Sequence, residues 1–155
     1  MDMQTNINIK NKRARFEYEI LDKYTSGIVL SGTEIKSIRH SRASITESFC
    51  EFNDRGELFI INMQVDEYSH GSHYNHLPKA QRKLLLNKRE LKKLEREVKN
   101  SGLTIVPLNL FINEKGFAKL HIALAKGKKL YDKRENIKDR DNKRDLARVK
   151  KNFNS

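Results

Sequence analysis

Two four-residue segments, Asn53-Asp54-Arg55-Gly56 and Asn113-Glu114-Lys115-Gly116, repeat one turn design. Each sets Asn at the first and Gly at the fourth position favoured in a type I turn, between two runs rich in β-branched and large apolar residues. The spacing predicts one hairpin that pairs about 45–53 with 57–65 and a second that pairs 103–112 with 117–125. So short a connection joins only antiparallel neighbours, which commits much of the chain to an antiparallel sheet. Pro107 lacks an N–H, so its strand is expected to be an edge or to bulge there.

The remaining segments fit around these hairpins. Phe16-Glu17-Tyr18-Glu19-Ile20 alternates with the period of a half-buried strand, and another short strand is expected at about Gly27 to Leu30. From Thr33 to Arg39 the pattern predicts a short helix, with Ile35 and Ile38 on one face and Lys36 and Arg39 together on another. Ala80 to Lys99 reads as helical, broken once where Asn87-Lys88-Arg89-Glu90 has capping-box spacing. Leu91, Leu94 and Val98 supply the apolar stripe, and Gly102 the stop. The expected fold is mainly β: an antiparallel OB-like barrel of about six strands with two or three short helices. Residues 1–8 are expected to be a disordered leader, 9–125 the barrel and 126–155 a basic tail, disordered alone.

That tail carries much of the charge. From Lys126 to Ser155 there are twelve Lys or Arg against five Asp or Glu, or +7 of the chain's total of +12. Its few large apolar residues cannot offset the entropy of ordering it, so it should fold only on a polyanion. Tyr131 inside it is suited to stacking on a base. A pI near 9.8 points to an acidic partner, nucleic acid or an anionic membrane surface. No apolar run approaches the ~20 residues that span a bilayer, and Met1 to Lys10 lacks a signal-peptide core, so a cytoplasmic location is expected and no membrane. Cys50 is the only cysteine, which excludes an internal disulfide and a cysteine-cluster zinc site; it reads as a core thiol.

Little in the chain reads as catalysis. The segment His70-Gly71-Ser72-His73-Tyr74-Asn75-His76, after Asp66 and Glu67, has the imidazole density of a metal site, but its spacing and its glycine and proline argue for a loop. Glu34 is expected to be a structural carboxylate paired with Lys36 or Arg39. No nucleophile triad or phosphate-cradling glycine loop is present, so neither enzymatic activity nor a cofactor is expected. The cations are distributed for binding: Asn11, Lys12, Arg13 and Arg15; Lys36, Arg39 and Arg42; and Lys79, Arg82, Lys83, Lys88 and Arg89 on the central helices.

Four segments carry a resemblance. Asn11 to Arg15, Gly27 to Arg39, Arg82 to Leu91 and Ala125 to Arg134 are similar, in order, to the signature segments of the SmpB family, the SsrA-binding proteins of bacterial trans-translation. The likeness runs from about Asn11 to Lys151. It implies an RNA adaptor without catalytic activity, a monomer that binds the tRNA-like domain of transfer-messenger RNA (SsrA) and delivers it with elongation factor Tu to stalled ribosomes. By position it implies RNA-binding roles for Asn11 and Leu85, Leu85 by packing the central helix beneath the RNA-facing surface or by direct contact. Gly127, Lys128 and Lys129 open the ribosome-binding tail, which the resemblance makes helical in the mRNA channel. Tyr131 falls where a ring stacks in the decoding centre, followed by Asp132, Lys133 and Arg134. Many members have Glu-Ala where this chain has Thr25-Ser26, so no charged contact is carried over to Thr25. The alternative from composition is a permanent, basic ribosome-associated structural protein.

Overall fold

The computed structural model describes residues 7–70 and 75–128. Its elements are β1 (Asn8–Lys10), α1 (Ala14–Glu17), β2 (Tyr18–Ile28), α2 (Gly32–Arg39), β3 (Ala43–Ser44), β4 (Phe49–Phe52), β5 (Leu58–Ile61), β6 (Gln64–Val65), β7 (Arg82–Leu85), α3 (Lys88–Ser101), β8 (Thr104–Ile112) and β9 (Ala118–Gly127). Six strands close into an antiparallel ring, β8-β4-β5-β7-β2-β9 and back to β8, with β1 added on β8. β3 and β6 pair separately. The mainly β barrel with three helices agrees with the sequence expectation.

Both hairpins form at the expected turns. Gly56 and Gly116 have φ of 75° and 85°, the region that glycine enters without a Cβ penalty. In each, the Asn side chain accepts backbone N–H bonds from the turn, Asn53 from Arg55 and Glu57, and Asn113 from Lys115 and Phe117. This is the local bonding that makes Asn a turn former. Pro107 produces a bulge rather than an edge: it pairs with Ile122 while Asn109 pairs with His121, leaving Leu108 as the extra residue. At that bulge the free edge of β8 changes partner, from β4 at Ile105 to β1 at Asn109–Phe111.

Several expectations are corrected. Ile7 is buried and Asn8 pairs with Phe111, so these two residues belong to the fold, not to a leader. Phe16 and Glu17 lie in the single turn α1, and the two short strands expected at 16–20 and 27–30 are one strand, β2. Ala80 to Leu86 is not helical, because Arg82–Leu85 completes the ring between β5 and β2. α3 starts where the capping box sits: Asn87 accepts from the Glu90 N–H and Glu90 accepts from the Asn87 N–H. It stops at Gly102 in the left-handed conformation. β9 continues through Gly127, two residues past the expected end of the barrel.

The barrel interior is filled by Ile38, Ile45, Leu58, Ile60, Met63, Leu84, Leu94, Leu110, Leu120 and Ile122, all with no more than 1% exposure. Cys50 is among the core residues, and burial pushes its thiol pKa up. A smaller cluster of Ala14, Val106 and Ala125, with Tyr18, Ile20 and Leu108 against it, seats α1 on the outside of the sheet. That seat decides where the basic N-terminal segment lies.

Candidate nucleic-acid interface

Leu120, Ile122 and Leu124 of β9 point into the core, so strand alternation turns Phe117, Lys119 and His121 outward. The register then sets Thr25 beside His121 and Gly27 beside Lys119 on β2, with Asn109 and Phe111 on β8 and Asn8 and Lys10 on β1. One outer face therefore runs across β1, β8, β9, β2 and on to Leu85 of β7. A polar row crosses it. Asn109 Nδ2 donates to Asn8 Oδ1 at 3.0 Å, and His121 Nδ1 lies 2.9 Å from Asn109 Oδ1. The Phe111 and His121 rings pack beside it, tilted by 47° with centroids 4.5 Å apart.

Two clefts open on this face. The larger, of about 620 Å³, lies between the Asn8–Arg15 segment and the sheet and is lined by Lys10, Asn11, Lys12, Arg15, Lys23 and Thr25 among others. Asn11 builds its floor: its backbone N–H bonds the Leu108 carbonyl and its side-chain Nδ2 the Pro107 carbonyl, both across the bulge. The second cleft, about 350 Å³, is apolar with a cationic rim, set by Gly27, Leu30, Ile35, Leu85 and Phe117 with Arg39 and Lys119. A Cβ on Gly27 would stand 3.3 Å from Leu85 Cβ, so the glycine makes the room in which Leu85 lies. No Asp or Glu lines either cleft. Cations beside stackable or apolar side chains, without carboxylates, suit a polyanion whose bases are partly exposed.

Asn11→Ala is expected to remove one partly buried bond to the bulge, costing about 1 kcal/mol of stability. RNA affinity should fall further than that, because Lys12 and Arg15 lose their anchored backbone. Thermal melts beside a filter-binding titration check both, and unchanged affinity would show that the loop's placement does not matter.

The structure places the sequence-derived candidates unevenly. Lys12 and Arg15 are exposed in the larger cleft, while Arg13 is exposed but paired with Glu47 at 2.8 Å. Lys36 and Arg39 do not share one side of α2. Arg39 donates to the Gly116 carbonyl at 3.5 Å in the apolar cleft, whereas Lys36 sits over the Tyr68 ring, 5.5 Å from its centre. Lys83 pairs with Glu57 at 2.7 Å, and hydrogen bonds from Lys83 and Asn53 hold the Glu57 carboxyl below the usual range. Arg82 is 3% exposed and is not presented to a ligand: it pairs with Glu34 and donates to the carbonyls of Met63, Leu77 and Pro78. Glu34 is structural as expected, but its cation is Arg82, not Lys36 or Arg39. Leu85 is 51% exposed on β7 and is not part of the central helix, so it does not pack that helix against the barrel. His76 bridges Thr33 Oγ1 and the Val65 carbonyl at 2.9 Å each, a bracing role. Among the described residues no cluster of three His, Cys, Asp or Glu is placed to hold a metal.

Of the tail candidates, Gly127 pairs with Tyr18 in β9. Lys128 donates from its backbone N–H to the Glu17 carbonyl at 2.9 Å and from Nζ to the Arg15 carbonyl at 3.3 Å. Lys129, Tyr131, Asp132, Lys133 and Arg134 lie outside the described residues. Phe117, Lys119, His121 and Asn109 went unnoticed in the sequence, although inward alternation of Leu120, Ile122 and Leu124 was the signal that assigns them outward.

Comparison with known proteins places this chain in a family. The family model described as "SmpB protein" matches residues 8–152. The chain belongs to the SmpB family. It is 67% identical to the SsrA-binding protein of Christiangramia forsetii over 151 residues, covering 97% of this chain and 96% of that protein. The SsrA-binding protein of Flavobacterium psychrophilum is also 67% identical, with coverage of 97% and 100%. A chain from the solved structure "tmRNA-SmpB: a journey to the center of the bacterial ribosome" superposes with a TM-score of 0.68 at 45% identity, covering 84% of this chain and 94% of that one. The segments around Asn11, Gly27 and Leu85 converge on the outer barrel face from three separate parts of the sequence. No described helix is long and apolar enough to cross a membrane.

Proposed function

We propose that this protein is the RNA-binding adaptor of trans-translation: it binds the tRNA-like domain of transfer-messenger RNA and delivers it to stalled ribosomes for peptide tagging and rescue. The observation that carries the reading is the outer barrel face, on which two carboxylate-free clefts join the basic Asn11–Arg15 segment to exposed Leu85 and Phe117. Folded RNA is recognised by shape, phosphates and splayed bases, for which cations and exposed apolar or aromatic groups are the matching chemistry. Lys10, Lys12, Arg15 and Lys23 supply the phosphate contacts, and Leu85 and Phe117 the platform for an unstacked base. Asn11 and Arg82 act as positioning residues. Action as a monomer, without chemistry of its own, in the cytoplasm and together with elongation factor Tu belongs to the same proposal. So does a tail from Lys129 through Tyr131 to Arg134 that engages the decoding centre and mRNA channel.

Leu85→Ala is the direct test. The side chain is exposed, so the thermal midpoint should move little, while affinity for a tRNA-like-domain transcript should fall by about tenfold, or ~1.4 kcal/mol. Phe117→Ala should lower it similarly, and Lys12→Ala should instead flatten the dependence of affinity on salt. Wild-type affinity in both apolar variants would remove this face from the interface.

A further inference from the structure

We propose a second RNA contact on this protein, between α2 and residues 66–70, that takes one unpaired nucleotide by stacking its base on the Tyr68 ring, with His70 edge-on beside it, and holding its phosphate with Lys36 and Arg42. RNA as the ligand class rests on the reading above; the site is separate from the outer barrel face. Tyr68 gathers three neighbours: the His40 ring nearly parallel at 6.3 Å and 22°, the His70 ring edge-on at 5.5 Å and 72°, and Lys36 Nζ 5.5 Å from the ring centre. A cavity of about 250 Å³ opens there, lined by Ser37, His40, Arg42, Tyr68, Ser69 and His70, and neither Asp66 nor Glu67 lines it.

The fold holds this cluster in place. The Tyr68 N–H donates to Asn75 Oδ1 at 3.2 Å, and Asn75 Nδ2 donates back to the Tyr68 carbonyl at 2.9 Å. One side chain thereby closes the base of the loop as a pair of strand bonds would. Just before it, the Asp66 N–H bonds the Arg42 carbonyl at 2.9 Å. The position of the ring is thus fixed from both ends of the segment. The end of α2 supplies the opposite wall through Ser37 and the capping His40, with Lys36 at i, i+4 from His40 on the same stripe. Ile35 and Arg39, one residue back along each step, form the adjacent stripe, rotated by about 100° and turned into the apolar cleft. The helix is a shared partition between two surfaces, which explains why Lys36 and Arg39 separate. Rings with an exposed edge beside two cations, with no lining carboxylate, match a base and its phosphate rather than an acidic peptide, for which the stacked rings would have no use.

The test uses the full chain and two probes: a fluorescently labelled, single-stranded oligoadenylate RNA, and the tRNA-like-domain transcript. Tyr68→Ala should weaken oligoadenylate binding by about fivefold or more, the lower bound for a lost base–aromatic stack, with Tyr68→Phe near wild type. Lys36→Ala with Arg42→Ala should weaken it and lower its salt dependence. Transcript binding should change less than twofold in these variants, and Leu85→Ala should give the reverse pattern. Oligoadenylate affinity unchanged in Tyr68→Ala, at an unchanged melting temperature, would overturn the proposal and leave the cluster as loop packing. Loss of affinity in Tyr68→Phe as large as in Tyr68→Ala would also overturn it, since the ring is kept. A wild-type protein that ignores the transcript but keeps the oligoadenylate pattern would overturn the adaptor reading and uphold this contact.

Discussion

Ending the chain after Lys128 should leave a folded barrel that still binds the tRNA-like domain, yet abolish peptide tagging on ribosomes stalled on truncated mRNA. Every described contact survives that cut, including the Gly127–Tyr18 pair and the Lys128–Glu17 bond that seal β9 against α1. A cut after Ala125 would instead strip the last pairs from β2. What is lost after Lys128 is ten Lys or Arg and five Asp or Glu, with Tyr131 among them. Transcript affinity should drop modestly through lost counterion release. Tagging is expected to need this segment, whose ten Lys or Arg and Tyr131 ring suit ordering on ribosomal RNA. Within that segment Tyr131→Ala should impair tagging more than Tyr131→His or Tyr131→Phe, since a ring is what stacking uses. Normal tagging by the shortened protein in a reconstituted translation system would reduce the tail to a solubilising appendage.

Arg82→Ala should be the most destabilising single change in the barrel, at about 3–5 kcal/mol, because it strands the Glu34 carboxylate in a buried site. It also strips a donor from the carbonyls of Met63, Leu77 and Pro78. Against a total of about 5–15 kcal/mol, much of the population would unfold. Burial by itself would raise the Glu34 pKa, but hydrogen bonds from Ser31 and Arg82 and the Arg82 charge outweigh it and leave it lowered. A lowered folded pKa means that this contribution is complete above the unfolded carboxyl's value and is lost as pH falls through the folded one. Urea denaturation from neutral to acid pH should show that loss in the wild type and a flatter profile in Glu34→Gln. In Arg82→Met/Glu34→Gln the combined cost should be less than the sum of the singles, since neither charge is then left alone. Stability within 1 kcal/mol of wild type for Arg82→Ala would show the pair to be dispensable.

The parts of the fold that sequence reasoning reached are those whose causes are local. Asn53 and Asn113 make their turn bonds within four residues, and the Asn87–Glu90 box closes on itself, so each was readable where it stands. β7 was not. Its run Arg82-Lys83-Leu84-Leu85 satisfies either period over four residues, and its partners lie far away, Phe59 and Ile60 on one side and Gly27 and Ile28 on the other. Once it is a strand, alternation sends Arg82 and Leu84 inward and Leu85 outward, which reverses the expected roles of the arginine and the leucine. Glu34, 48 residues away, and the carbonyls of Met63, Leu77 and Pro78 together make an inward arginine tolerable. For the interface, the basic Asn11–Arg15 segment was visible as charge, whereas the row Asn8, Asn109 and His121 exists only through the register of three strands.

α1, which follows the basic segment, meets the end of β9: its Glu17 carbonyl accepts the N–H of the last described residue, Lys128. Lys128 Nζ also reaches the carbonyl of Arg15, a lining residue of the larger cleft. Lys128 therefore stands at the rim of the larger cleft. The 27 residues from Lys129 to Ser155 span at most about 90–95 Å extended and about 40 Å as a helix. On the proposed reading, an RNA held in the cleft and a partner held by residues 129–155 would lie within that reach of each other, so the barrel would set an upper limit on their separation.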